Sequence, residues 1–567
     1  MSCLVPLRLA ALAPTLAAVM MTAGCSTNQS VPADAVDACP LDTAAFGFWL
    51  DGPLVVDARF KVPDSAQPIE LKPNCGFYAW GEQMFLWLNS PPPSSYGAGA
   101  RVFESPVFYD VSPPDAAGRR SFIAHVPGVG RAFPLRTAQR GPHGLAVAID
   151  RAHKLFEFTP APAGQAAVVR STDGRAVEVA HASRERGELV LSDRQGGVIA
   201  VPHVGAPDIG RDPGAAVHRF KIDGHAVFID GAMAVVDVEQ GEAGGSQVLQ
   251  AQPTANGSLV YYATLVNDVY AYFLTAAKTK SGPSIFPSTP DGLAAVVAFA
   301  KAHGKGDTPF PDAQAMAVEV KTAWVRAAGL ADAGQYITTQ ASVPVYDTSD
   351  PDVWKETGHE TVQLALIGMH VAGSTFNHSE MVWATFEHDR NAPAATYTYQ
   401  SATGLKTLAQ DTSGDWLFAT TGSGGPFNVA HMTFDEPSGQ IRASAPFHVG
   451  PSDTMRTMPW GTDGTDAKSN TEVIAMNHHV RSMLMPGDVR AHYKMTGATW
   501  TVHGEPPEGN MPGVGTPRLA NTTMETYQQG AANCFSCHQN PLGSGLDPRG
   551  GLSHVFGDDA SGLKPLF

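Results

Sequence analysis

Residues 76–88 read GFYAWGEQMFLWL, and Phe77, Trp80, Met84, Trp87 and Leu88 recur at the spacing of one helical face. The pattern predicts a core helix, closed by Pro91-Pro92-Pro93. Between 100 and 250 the period changes. Short alternating runs at 166–170, 188–191 and 226–229 sit between Gly- and Asp-containing turns, which predicts strands. The apolar run over 259–275 (LVYYATLVNDVYAYFLT) predicts a helix, and a second is predicted over 290–303, where Leu293, Val296, Val297 and Ala300 keep helical spacing up to Gly304. At 318–325 (VEVKTAWV) Val318, Val320, Thr322 and Trp324 alternate with Glu319, Lys321 and Ala323, the mark of a half-buried strand. Further strands are predicted over 362–371, 380–389, 395–400 and 427–433. The Gly- and Pro-rich stretch 504–517 predicts a linker or wrapping loop. Beyond it, Thr522 and Glu525 have capping-box spacing for a helix that leads into the C-terminal region.

This pattern predicts a mostly β protein with some α: a large β-rich body, of sandwich or meander type, with helical segments and a C-terminal haem-binding helical segment. The expected organisation is a signal peptide over 1–24, a tether over 25–38, an N-terminal β-rich region with helices over 39–315, a second β-rich region over 316–503, and a C-terminal segment over 504–567. Charged residues make up 16% of the chain, well below the usual quarter, and Gly and Pro are in excess, which suits a compact, loop-rich β protein. A net charge of −16 gives nothing to favour nucleic acid. It suits solubility first, with electrostatic steering of a basic redox partner protein as the functional alternative.

The first residues have the form of an export signal. Arg8 precedes an apolar stretch from 9 to 21, interrupted by Pro14 and too short to span a bilayer as a mature helix. The stretch ends Thr22-Ala23-Gly24-Cys25, which resembles a bacterial lipobox with Thr22 where Leu is usual. Lipidation of Cys25 is the first expectation, and ordinary secretory cleavage is the alternative. By resemblance to lipoprotein sorting, Ser26 suits an outer-membrane anchor. The expected location is the periplasm or outer membrane of a bacterium, with membrane contact only through the lipid.

Near the C-terminus stands Cys534-Phe535-Ser536-Cys537-His538. Two cysteines two apart with histidine next form the attachment signature of c-type haem. Cys534 and Cys537 form thioethers with the two haem vinyl groups from one helical turn, and His538 is the proximal iron ligand. A structural zinc site needs a second cysteine pair or further ligands, and the chain has no other Cys-x-x-Cys. A redox dithiol belongs early in a thioredoxin-like unit. One haem c is therefore expected. Cys3 leaves with the signal, Cys25 takes lipid and two cysteines take haem. Cys39 and Cys75 remain, and an oxidising compartment predicts that they pair.

Three stretches together resemble a group of secreted bacterial mono-haem c-type-cytochrome-like proteins. They are VEVKTAWV at 318–325, IGMHVAGS with EMVWATFEHDRNAP across 367–393, and NTTMETY with NCFSCH across 521–538; the helix at 76–88 looks similar too. The resemblance covers about a third of the chain and implies a haem protein, not a particular activity.

No methionine follows His538, so the second axial ligand is expected from the larger body. The candidates are His388, Met524 and His554, with Met432 or water as further alternatives. If 362–371 and 380–389 form a hairpin, His370 lies opposite about 382, and His388 is on the order of 20 Å away. Those two would not share an iron. His370, His378 and Glu380 are expected to meet at the turn as a candidate second metal site, with hydrogen-bonded core or turn residues as the bland alternative. Scattered histidines (His125, His143, His203, His218, His225) read as structural or solvent-facing, and the pair His478-His479, in a Met-rich apparent helix, is a weaker haem-ligand candidate than His388. No hydrolase elbow, dinucleotide fingerprint, phosphate loop or zinc-protease motif is present. Electron transfer by one covalently bound haem is the first functional expectation. A haem-dependent oxidoreductase and a cell-envelope binding protein with structural haem are the alternatives.

Overall fold

A computed structural model describes residues 31–567 apart from 70–73, 113–118, 126–130, 284, 308, 415, 436–439, 503, 505–512, 530–533, 539–548, 550–551 and 558–561; within 131–246 it describes only the backbones of strands. The signal, Cys25, His143 and His203 lie outside the described residues.

The chain is β-rich, with one large antiparallel sheet carrying helices on both faces. Its labelled strands are β1 (Phe108–Val111), β2 (Phe122–Ala124), β3 (Tyr261–Asn267), β4 (Val318–Arg326), β5 (Thr338–Asp347), β6 (Val353–Thr375), β7 (His378–His388), β8 (Tyr493–Trp500) and β9 (Val514–Gly515). They run β9-β8-β7-β6-β4-β3-β1-β2, with β5 on the first half of the long β6. Strands from both sides of position 316 pair directly, β3 with β4, so one sheet continues across the expected regional boundary.

The expected helix forms as α1 (Cys75–Leu88), and it is buried nearly all the way round rather than on one face. It lies on one face of the sheet, where Phe85 stacks on Phe386 with ring centroids 4.4 Å apart. A Cβ at Gly81 would stand 3.0 Å from the Ala384 Cβ, so glycine lets helix and strand approach this closely. Cys39 and Cys75 form the expected disulfide and pin the start of α1 to the N-terminal segment.

The helix predicted over 259–275 is instead a strand followed by a helix. Asn267 ends β3, and its side chain accepts from Tyr270 N, capping α2 (Asp268–Lys278). The same amide donates to Met316 O and accepts from Val318 N, locking the start of β4 alongside. A continuous apolar run has no period to separate strand from helix, so only the Asn-Asp pair marked the break. The helix over 290–303 forms as α3 (Pro290–Ala302). A further helix, α4 (Ala467–Met483), packs on α1.

β4 alternates as expected. Val318, Val320 and Trp324 join the core beneath α1. The opposite, polar face is not left to water, because α2 and the C-terminal segment cover it.

Candidate functional site

The C-terminal segment is fastened to that polar face by side chains from β3, β6 and β7. Residues 521–529 form successive turns rather than the predicted helix. The polar side chains bond to the sheet and to local backbone instead of leaving that backbone to a helical ladder. Asn521 Nδ2 donates to Thr385 Oγ1 at 2.9 Å and to Phe386 O at 3.0 Å, while its Oδ1 accepts from Thr523 N. Glu525 Oε2 accepts from Asn521 N at 2.8 Å. Tyr262 on β3 donates its hydroxyl to Thr523 O at 2.6 Å. Gly368 on β6 makes room for this strap, since a Cβ there would overlap Thr523 Oγ1 and stand 3.0 Å from Asn521 Oδ1.

Below the strap lies a buried ion pair. Glu387 on β7 receives Arg456 Nε at 3.2 Å and Nη2 at 2.5 Å, and it also accepts from Thr522 N at 2.9 Å and from the Thr522 hydroxyl. Burial pushes the Glu387 carboxyl up, but Arg456 and Thr522 outweigh it and hold the pKa below the usual value. One strand across, His370 Nε2 meets Glu525 Oε1 at 2.9 Å. Burial raises Glu525 too, and His370, Lys321 and the Asn521 amide together bring it below its ordinary value.

The Cys-x-x-Cys-His motif follows the strap. Cys534–Cys537 is a single helical turn. Phe535 is buried with Met381, Trp383, Leu552 and Phe556. His538 packs with its ring centroid 4.2 Å from that of Trp383 and 4.2 Å from that of His554. Its Nδ1 lies 2.9 Å from Leu552 O. A carbonyl only accepts, so Nδ1 carries the proton and Nε2 keeps its lone pair. Burial, then the neighbouring His554, Lys321 and His370, hold His538 well below the usual histidine pKa, and the ring is neutral. A neutral imidazole with its far nitrogen fixed by a carbonyl is what metal ligation requires.

The other expected residues are distributed differently. His554 is exposed, and its ring lies face to face with His538, 12° from parallel. Ligands on opposite sides of one iron instead direct their nitrogens at each other. Met524 is buried in a separate cluster with Tyr262, Ala323 and Ile367, and Met432 belongs to the core under α1. His388 is buried and stacks on Tyr336 at 3.7 Å, its Nδ1 accepting from Arg390 N and its Nε2 3.3 Å from Gln335 O. Burial drives its pKa down to about 3.

Register corrects the expected hairpin. His370 pairs with Thr385, not with about 382, because β6 and β7 turn tightly at Thr375↔His378 and carry a bulge. His388 is thus three residues from the partner of His370, about 10 Å, not 20 Å. Three is an odd number, so His388 takes the opposite face. His378 and Glu380 do meet, at 2.7 Å, with Glu380 also accepting from Thr501; His370 does not join them, being held by Glu525. Among the described residues no group of three His, Cys, Asp or Glu side chains is arranged to hold a metal ion. His125 pairs with Asp110 and His479 with Asp37.

Sequence reasoning missed Lys321, Trp383, Glu387, Arg456 and Glu525. Lys321 and Glu319 had the spacing of a solvent-facing set, and only the strap's many hydrogen-bonding side chains hinted at a polar face to receive them. Comparison with known proteins adds nothing further: no family model, no curated protein and no solved structure matches this chain.

Proposed function

We propose that this is an exported c-type-cytochrome-like protein that carries one haem and transfers electrons to or from a partner protein. Cys534 and Cys537 would hold the haem through thioethers, His538 would ligate its iron, and the turn Cys534–Cys537 would be the haem-binding helical segment. Cys25 carries a lipid that keeps the protein at a bacterial envelope membrane. The observation that carries the reading is the His538 Nδ1 to Leu552 O contact at 2.9 Å, which leaves Nε2 of a neutral ring available next to two cysteines in attachment spacing. The segments of the cytochrome-like resemblance also lie together: β4, the β6–β7 pair and the strap, with α1 beneath. When bound, the haem supplies a one-electron iron couple. The chain's own part is to hold the imidazole proton on Nδ1, to pack the ring against Trp383, and to fasten the strap to the sheet.

Expressed with haem-attachment machinery, the protein is expected to keep its haem through denaturation and acid–organic extraction. Cys534→Ala and Cys537→Ala should each impair attachment, and His538→Ala should disturb ligation most. Complete extraction of haem from the native chain refutes the proposal.

Electron transfer is distinguished from haem-dependent substrate chemistry by coordination. A carrier is expected to give a low-spin ferric absorption and magnetic-resonance spectrum, with slow or absent binding of carbon monoxide and cyanide. Fast binding to high-spin iron overturns the carrier reading. In the low-spin case His554→Ala, Met524→Ala and His388→Ala are compared. Met524, in its separate cluster, and His388, on the opposite sheet face, are expected to leave the iron low-spin. The variant that turns high-spin names the second ligand, and if none does all three assignments are wrong.

A further inference from the structure

The N-terminal part of the body displays apolar side chains that the core does not use. Residues 49–61 form a hairpin: Leu50 bridges Phe60, Asp51 N donates to Arg59 O at 2.9 Å, and Lys61 N donates to Trp49 O at 2.7 Å. All five residues at its tip, Gly52-Pro53-Leu54-Val55-Val56, are exposed. Val55 is 48% and Val56 50% exposed, and Phe48, directly before the hairpin, is 76% exposed. Single exposed apolar residues are ordinary, but a consecutive run of them at a hairpin tip marks a contact surface.

The base of the hairpin is held firmly. Ala58 and Phe60 are buried, Arg490 donates to Ala58 O at 2.9 Å and lies over the Phe60 ring, and Ala58 N closes the tip onto Val55 O at 3.1 Å. Asp57 sits in the left-handed region at φ 60°, with its amide on Asp488. The tip is therefore presented, not collapsed onto the body.

Two features select the partner. Both acids that bracket the tip are neutralised, Asp51 by Arg59 at 3.2 Å and Asp57 by Arg101, and the return arm adds Lys61. An overall acidic protein thus presents an apolar tip with no unpaired acid in its own hairpin. The second feature is reach. The tether is fastened to the body at Asp34, which pairs with Lys406 and Tyr399. Only eight residues separate Asp34 from Cys25, at most about 30 Å of extended chain.

We propose that Leu54, Val55 and Val56, with Phe48 beside them, insert into the interfacial region of a lipid bilayer, a second contact that orients the body against the membrane. The inference rests on the anchored reading for how the protein reaches that bilayer, but the loop's affinity for lipid is separately measurable. The lipid on Cys25 would hold the chain at the bilayer, and the apolar tip would fix which face of the body meets it.

The test uses the mature chain from Ser26, secreted behind a signal that ordinary signal peptidase removes, so that no lipid is attached. It is floated with vesicles of phosphatidylethanolamine and phosphatidylglycerol. The chain is expected to float, and Leu54→Asp with Val56→Asp is expected to lower its vesicle partition by about tenfold or more. A Leu54→Trp variant should show a blue-shifted emission that brominated lipid quenches. No flotation, or equal flotation of the Asp variant, overturns the proposal. So does a vesicle-free dimer that the Asp variant dissociates, since the tip would then serve a second copy. Whether Cys25 carries lipid is read separately from the mass of the N-terminal peptide of the full chain, so failure of the anchor and failure of the loop give different results.

Discussion

Arg456→Ala is expected to destabilise the protein by about 3–5 kcal/mol, because it strands a buried carboxylate. Glu387 and Arg456 are both almost fully out of solvent, and two guanidinium nitrogens face two carboxylate oxygens. Without Arg456, Glu387 loses its bonded cation and keeps the amide and hydroxyl of Thr522 as hydrogen-bond partners, with the buried Lys494 acting on it only through its field. The effect should also reach the strap, since Thr522 is held by that same carboxylate. Urea unfolding gives the magnitude, and limited proteolysis should show earlier cleavage within 521–538 in the variant. The double variant Arg456→Met with Glu387→Leu should be less destabilised than Arg456→Ala alone, because it removes the charge instead of orphaning it. A loss under about 1 kcal/mol for Arg456→Ala would mean that the pair is not held as described.

The elements that were legible in the sequence are those in which one period dominates. Helix α1 and strand β4 announce themselves by spacing. β3 and α2 do not, because LVYYATLVNDVYAYFLT is apolar throughout and the only punctuation is Asn267, which caps a helix and closes a strand in the same position. The motif of the candidate site was legible because its chemistry is local: two cysteines and a histidine within one turn. Its surroundings were not. Glu319 and Lys321 alternate with apolar residues just as solvent-facing positions do, and whether water or a distant segment covers them is decided some two hundred residues later. There Ser553 donates to Glu319 at 2.6 Å, and Glu525 reaches His370. The hairpin register failed for a related reason. The bulge sets three residues of β7, 379–381, against Ser374 alone. Two extra residues leave the period-two alternation unbroken, and with the turn at Thr375↔His378 they put the partner of His370 at 385 rather than about 382.

Glu82→Gln is expected to change how stability depends on pH. Glu82 lies on α1 among buried residues, and burial pushes its carboxyl up to about 8, with Arg481 on α4 only partly offsetting this. Arg481 gives little because it is already committed to Asp389, at 3.2 and 2.5 Å. The folded pKa lies above the unfolded value of 4.5, so the folded chain holds a proton that the unfolded chain releases. The contribution of Glu82 is therefore complete below about pH 4.5 and is lost as pH rises toward 8. Each pH unit inside that window costs up to about 1.4 kcal/mol. Glutamine keeps the shape of the protonated acid and does not titrate. Relative to wild type, the Gln variant should gain stability from pH 5 to pH 8, by about 3 kcal/mol on that slope. Lys494, which burial lowers to about 7, contributes an opposite slope at higher pH, but it is common to both proteins and cancels in the difference. Urea midpoints at pH 5, 6, 7 and 8 measure the effect. Parallel profiles for the two proteins would show that Glu82 titrates in the folded chain as it does in the unfolded one.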